Sequence, residues 1–221
     1  MTIEIITNLI ILAASLLGFI YGLFTILIRK RPLYLKMVVL AVACMMISRI
    51  YLLLQYLTGK NIPDGFHVGI LCMLGCFLFL FSANFGMIDG LADDGSMKFL
   101  KYRLISWIVP VALIASFVPM YAFDNISIKL IAYSVVLFVI AISARFHFKH
   151  LILPDVDYGV VRQIRGYNAV AFFLCISTTV MLVADLRQMT HLYMVAGCAM
   201  ALFCLILLPI LKKEAMRWTK I

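Results

Sequence analysis

Apolar residues in this chain fall in long unbroken runs separated by short polar segments. The runs cover about 5–28, 34–57, 66–89, 104–122, 127–146, 167–186 and 192–211. Each is close to the roughly 20 residues that carry a helix, at about 1.5 Å per residue, across about 30 Å of hydrocarbon. Only helices or closed barrels satisfy their own backbones there, and runs of this length are helical. The chain is therefore predicted to be all-α, a polytopic transmembrane bundle of seven helices forming one domain over 1–221.

The separators carry the expected breakers. Arg29, Lys30, Arg31 and Pro32 close the first run, and the stretch from Thr58 through Gly59, Lys60, Asn61, Ile62, Pro63, Asp64 and Gly65 closes the second. Asp93, Asp94, Gly95 and Ser96 lead to Lys98, Lys101 and Arg103, and Asp124-Asn125 makes a tight turn. The longest polar segment runs from His147 through Pro154, Asp155 and Asp157 to Arg165. Pro110 and Pro119 predict a kink in the fourth span. Lys212 opens a basic tail with an interfacial tryptophan, Trp218.

Composition makes lipid unavoidable. Of 221 residues, 65% are hydrophobic and 13% charged, about half the charged share of a soluble domain. One small core does not hide that much apolar surface. The net charge of +9 sits in patches between runs, so it reads as topology and excludes nucleic acid as the expected partner. One side of the bundle receives Arg29, Lys30, Arg31, Lys36, Lys98, Lys101, Arg103, Arg145, Lys149, Arg162, Arg165, Lys212, Lys213, Arg217 and Lys220. The other receives Lys60, Lys129 and Arg187. The positive-inside rule then predicts the amino terminus outside and the carboxyl terminus in the cytoplasm. The first run has no basic residue before it and is long enough to span, so it is read as a span and not a cleavable signal. A bacterial cytoplasmic membrane is the expected location, an internal eukaryotic membrane the alternative.

Polar residues inside the spans are the candidate chemistry. In the second span Ser48, Arg49, Leu52, Gln55 and Tyr56 share a helical face; in the sixth, Ser177, Thr178, Met181 and Asp185 do. Arg49 and Asp185 fall at similar depth, which makes an Arg49–Asp185 pair the leading hypothesis; snorkelling of Arg49 to the outer headgroups is the alternative. Ser82, Asn84 and Asp89 form a second candidate site at the cytoplasmic edge of the third span. Gly18 with Gly22, and Gly86 with Gly90, are small-xxx-small pairs read as helix-packing positions.

Other chemistry is not expected. Cys44, Cys72, Cys76, Cys175, Cys198 and Cys204 all lie within apolar runs, where they read as small packing residues rather than as disulfides or a metal site. The string Asp89-Gly90-Leu91-Ala92-Asp93-Asp94-Gly95 resembles half of the motif of membrane alcohol phosphatidyltransferases, which implies Mg²⁺ and a diphosphate. That family needs two carboxylate pairs and an arginine on adjacent helices, and no second set is found, so a solvated turn with a helix cap at Asp94 or Ser96 is expected instead. His67, His147, His150 and His191 are placed at span ends, leaving no buried histidine for haem or for a rhomboid-like serine–histidine pair. No lysine stands mid-way in the last span for retinal. No catalytic residue, cofactor or metal site is assigned.

The opening stretch, with Gly18-Phe19-Ile20-Tyr21-Gly22 and then Arg29-Lys30-Arg31-Pro32, resembles the membrane input domains of bacterial histidine kinases and transcription regulators. That resemblance implies a non-enzymatic sensory or receptor-like module. No output domain is expected after the last helix, so a sensory module of this kind is expected to signal through a separate cytoplasmic protein met through the basic inner loops and tail. A small-solute or ion transporter or channel, and an accessory subunit of a larger membrane complex, are the alternatives. Homo- or hetero-oligomers are compatible with each.

Overall fold

The computed structural model describes residues 2–59, 64–90, 93–123, 125–154 and 160–218. Residues 60–63 of the breaker-rich turn, Leu91 and Ala92, Asp124 of the tight turn, Asp155 and Asp157, and Lys220 of the basic tail lie outside the described residues. Seven helices are long and apolar enough to cross a membrane: α1 (Ile3–Leu27), α2 (Leu33–Leu57), α3 (Val68–Gly86), α4 (Met97–Phe123), α5 (Ile128–Ile152), α6 (Arg165–Leu186) and α7 (Thr190–Met216). No strand occurs among the described residues. The chain is an all-helical multi-pass membrane protein.

Local chemistry sets the helix ends. Ser127 caps α5, its Oγ accepting the Leu130 N–H at 3.1 Å. Gly59, at φ +63°, turns the chain out of α2, a left-handed exit that glycine makes without a Cβ clash. The α6–α7 turn is tight: Gln188 takes φ 55°, and the Met189 N–H donates to the Ala184 carbonyl at 2.8 Å. Two helices end in wider π turns, Leu23–Leu27 on α1 and Asn84–Asp89 on α3.

Six helices close into a ring. α1 packs on α2, α2 on α3, α3 on α5, α5 on α6, α6 on α7, and α7 back on α1. Their shared core includes Met45, Cys76, Phe77, Leu80, Val136, Ile140, Leu174, Cys175, Met200 and Cys204. Every cysteine is a free thiol. α4 stands outside the ring and packs chiefly on α5. Its most apolar window is 22% buried, against 56% for α6, so α4 presents most of its surface to lipid.

The structure departs from the expected boundaries in physically informative ways. α4 starts at Met97, earlier than 104, with Lys98 and Lys101 lying over the rings of Phe99 and Tyr102. Within it, regular helix is interrupted at Ser106–Trp107 and Ser116–Phe117. Each break sits one turn before a proline, since Pro110 and Pro119 have no N–H for the carbonyls of Ser106 and Ala115. α7 runs past 211 and through Pro209. Its last turns carry Glu214, whose carboxylate accepts the N–H groups of Gly166 at 3.0 Å and Tyr167 at 2.9 Å. Glu214 thereby caps the start of α6 from a neighbouring helix.

The largest correction concerns α5. It continues to Ile152, beyond the expected end at 146. His147 and His150, read from the sequence as span-end residues, are fully buried, and Lys149 is nearly so. The expectation of no buried histidine is thus overturned. Carboxylates from the α3–α4 connection supply partners within the bundle, so this polar turn stays helical where a solvated loop was expected.

The glycine pairs separate. Gly18 is buried against α7 and α2; a Cβ there would stand 2.9 Å from the Cys204 carbonyl oxygen. Gly22 meets Leu208 and Val39. Gly86 and Gly90 are exposed, with open space where a Cβ would go. The packing role expected for this second pair is corrected: within the chain neither glycine has a neighbour for a Cβ to meet.

Candidate functional site

At the end of the bundle opposite the basic loops, the ring opens into a cavity of about 640 Å³. Six helices contribute: Glu4 and Asn8 from α1, Ser48, Arg49 and Tyr56 from α2, Met73 from α3, Lys129 and Tyr133 from α5, Met181 and Asp185 from α6, and Tyr193 from α7. Asp64 and His67 of the α2–α3 connection stand at its mouth. His67 stacks on Tyr51 with ring centroids 5.2 Å apart. Burial, and then the charge of Lys129, lower the His67 imidazole from its ordinary value.

Arg49 is 2% exposed. One terminal nitrogen donates to Asn8 Oδ1 at 2.9 Å. The other faces the sulfurs of Met45, Met73 and Met200, each at 3.9 Å. Its Nε has no hydrogen-bond partner among the described residues. Asn8 is held in turn, its Nδ2 donating to the Glu4 carbonyl at 2.9 Å and to Tyr193 Oη at 3.2 Å. Methionine sulfur is a weak acceptor, so one amide oxygen is the strong acceptor this five-donor cation has found.

The hypothesised Arg49–Asp185 pair is not formed. Asp185 lines the same cavity but is held by Lys129 at 2.8 Å and by the Tyr133 hydroxyl at 2.5 Å. Neither α5 residue shares a helix with the strips read from the sequence. Tyr56 lines the cavity and Gln55 does not. Ser177 and Thr178 are buried and donate to the Leu174 carbonyl of their own helix at 3.1 and 2.8 Å. Glu4 and Asn8 do not stand out by hydropathy, although Glu4, Asn8, Ile11, Ser15, Gly18 and Gly22 form a stripe at helical spacing along α1.

The basic end holds a second polar cluster. Asp89 pairs with Lys149 and with His150, the latter at 3.0 Å. Asp93 takes a two-point contact from Arg103 at 2.6 and 2.7 Å and Lys149 at 3.2 Å. Arg103 also donates to the Ser96 carbonyl at 2.8 Å. The turn expected to be merely solvated is thus a clasp joining α3, α4 and α5, although the Asp94 carboxylate does accept the Ser96 N–H at 2.9 Å. The Asp93 carboxyl is held well below the usual carboxylate range by Arg103, against the opposing effect of burial. For Asp89, burial pulls upward, but hydrogen bonds from His150 and Lys149 prevail and the carboxyl is lowered.

Beneath the clasp lies a buried trio. Asn84 Nδ2 donates to Asn168 Oδ1 at 3.0 Å, and His147 Nδ1 lies 2.8 Å from Asn84 Nδ2 and 2.9 Å from Asn168 Oδ1. Asn84 and Asp89 therefore meet these clusters, whereas Ser82 is half-buried beside them. His147 meets two amides and, edge-on, the ring of Tyr167. Among the described residues no group of His, Cys, Asp or Glu could hold a metal ion.

An apolar layer separates the two ends. Along α3, buried Cys76, Phe77, Leu80 and Ala83 lie between Met73 and Asn84, a rise of about 16 Å. Along α5, buried Val136, Leu137, Ile140, Ala141 and Ala144 lie between Tyr133 and His147, with Ser143 the one buried hydroxyl in that stretch, a turn from His147. Fold and site together define a class, a multi-pass helical membrane protein with a polar cavity at one end of its ring and an ion-pair clasp at the other. No protein-family model matches the chain, and it has no match among the curated proteins or the solved structures.

Proposed function

We propose that the protein is a non-enzymatic, receptor-like sensory module, with the cavity facing outside and the clasp in the cytoplasm. The observation that carries this reading is Arg49, a buried cation that meets no carboxylate among the described residues, on the wall of a cavity large enough for a small molecule. Ligand cavities commonly measure about 300–1,000 Å³ and use a few fixed polar groups. The apolar layer favours a receptor over an open pore, because it interrupts the polar lining that a permeating ion needs. The orientation rests on the basic loops, and the clasp lies among those loops, where a separate soluble partner would meet it. The π turn of α3, joining the trio to Asp89, supplies an element that can change hydrogen-bond register.

A carrier is the second reading, since polar clusters on either side of one apolar layer also suit alternating access. The deciding experiment reconstitutes the full chain in proteoliposomes and screens small polar molecules for two readouts. A receptor ligand alters hydrogen exchange around Asp93 and Arg103 without crossing the membrane. Accumulation of the same molecule inside the vesicles favours the carrier, and binding that leaves the clasp unchanged overturns the sensory reading.

A further inference from the structure

We infer that the cavity takes a small organic monocarboxylate, its carboxylate seated on Arg49 and its other end neutral or cationic. This rests on the cavity being a ligand site, as proposed above, and names the chemistry that fits it. Three observations carry it. Arg49 is almost wholly buried, lines the cavity, and has no partner for its Nε among the described residues. A guanidinium with donors to spare matches a planar carboxylate in a two-point contact, which no carboxylate side chain among the described residues makes with it. Asn8 holds one side of the guanidinium at 2.9 Å and is itself tied to Tyr193, so the fork is fixed before a ligand arrives.

The rest of the cavity sets the other end of the ligand. Towards the mouth the lining carries Glu4, Asp64 and Asp185, with Lys129 already on Asp185. A second negative charge on the ligand would meet these carboxylates, whereas a hydroxyl or ammonium group would be accepted by them and by the tyrosine hydroxyls. Polyanions and phosphate are therefore disfavoured, and propionate-like or amino-acid-like monocarboxylates are favoured.

The test uses the full chain in lipid nanodiscs with four probes at millimolar concentration: propionate, alanine, succinate and inorganic phosphate. Thermal unfolding and calorimetric binding are the readouts. Propionate or alanine should raise the melting temperature and bind, with succinate and phosphate weaker. Arg49→Gln should weaken binding about a hundredfold, and Arg49→Lys should restore only part of it, lacking the fork. Arg49→Met, a neutral side chain set among three methionine sulfurs, should fold and fail to bind, which separates ligand recognition from collapse of the cavity. Failure of both monocarboxylates to bind, preference for succinate or phosphate, or unchanged affinity in folded Arg49→Gln each overturn the assignment. A neutral or cationic molecule that bound and moved the clasp would leave the receptor reading intact while removing this one.

Discussion

Arg49 and Asp93 show how differently charge is handled at the two ends of one bundle. Arg49 has an amide, three sulfurs and a cavity around it, and no carboxylate partner among the described residues; a buried charge so placed is costly. Asp93 has two cations and a backbone N–H and is fully satisfied. Since Asp93 and Asp89 are both held below 3.8, their pairing contributes fully above that pH and is lost as pH falls through the lowered folded values. Asp93→Asn should destabilise the protein by about 2 kcal/mol at neutral pH. It should also flatten the acid limb of a melting temperature against pH curve in detergent, which declines below about pH 4 in the parent. An unchanged acid limb would show that the clasp does not hold the bundle together.

Elements differ in how tightly they are built in. α1 lies against α7 through Gly18, where an added methyl would press on a backbone carbonyl that has no rotamer to escape by. Gly18→Ala should therefore cost about 1–3 kcal/mol. Gly22→Ala should cost less, since Leu208 and Val39 can repack, and Gly86→Ala should be close to neutral, its Cβ pointing into open space. Thermal unfolding of the three variants checks the order, and an equal loss at Gly86 would contradict the open position of the α3 π turn. The spacing of the glycines was visible in the sequence, but the two pairs look alike there. Only the rotation of each helix in the ring distinguishes them. Likewise α4 is apolar enough to span, yet its two prolines break it into short pieces that lean on α5 outside the ring.

For the molecule as a whole, the basic-inside pattern makes a topological prediction. Cysteines introduced at Gly59 and at Arg29, in a background stripped of exposed Cys198, should react with a membrane-impermeant maleimide from opposite sides of sealed vesicles. Gly59 is expected to label from outside in intact cells. Labelling of both positions from one side would contradict an α2 that crosses the membrane, and inverted labelling would place the cavity in the cytoplasm and the clasp outside.

The number of spans, their helical state and their approximate limits followed from the sequence alone, because hydrocarbon leaves a backbone no partner but itself and demands about 20 apolar residues per crossing. Arg49 and Asp185 could be singled out for the same reason: an ionisable group in an apolar run is conspicuous. Their partners could not. Asn8, Lys129 and Tyr133 join the cavity from other helices, and His147, Lys149 and His150 read as loop because hydropathy scores a residue by its own polarity and not by the carboxylate that packs against it. The order of helices around the ring and the rotation of each about its axis decide which polar groups meet. Both are set by side-chain packing between segments far apart in the chain, which a one-dimensional pattern does not carry.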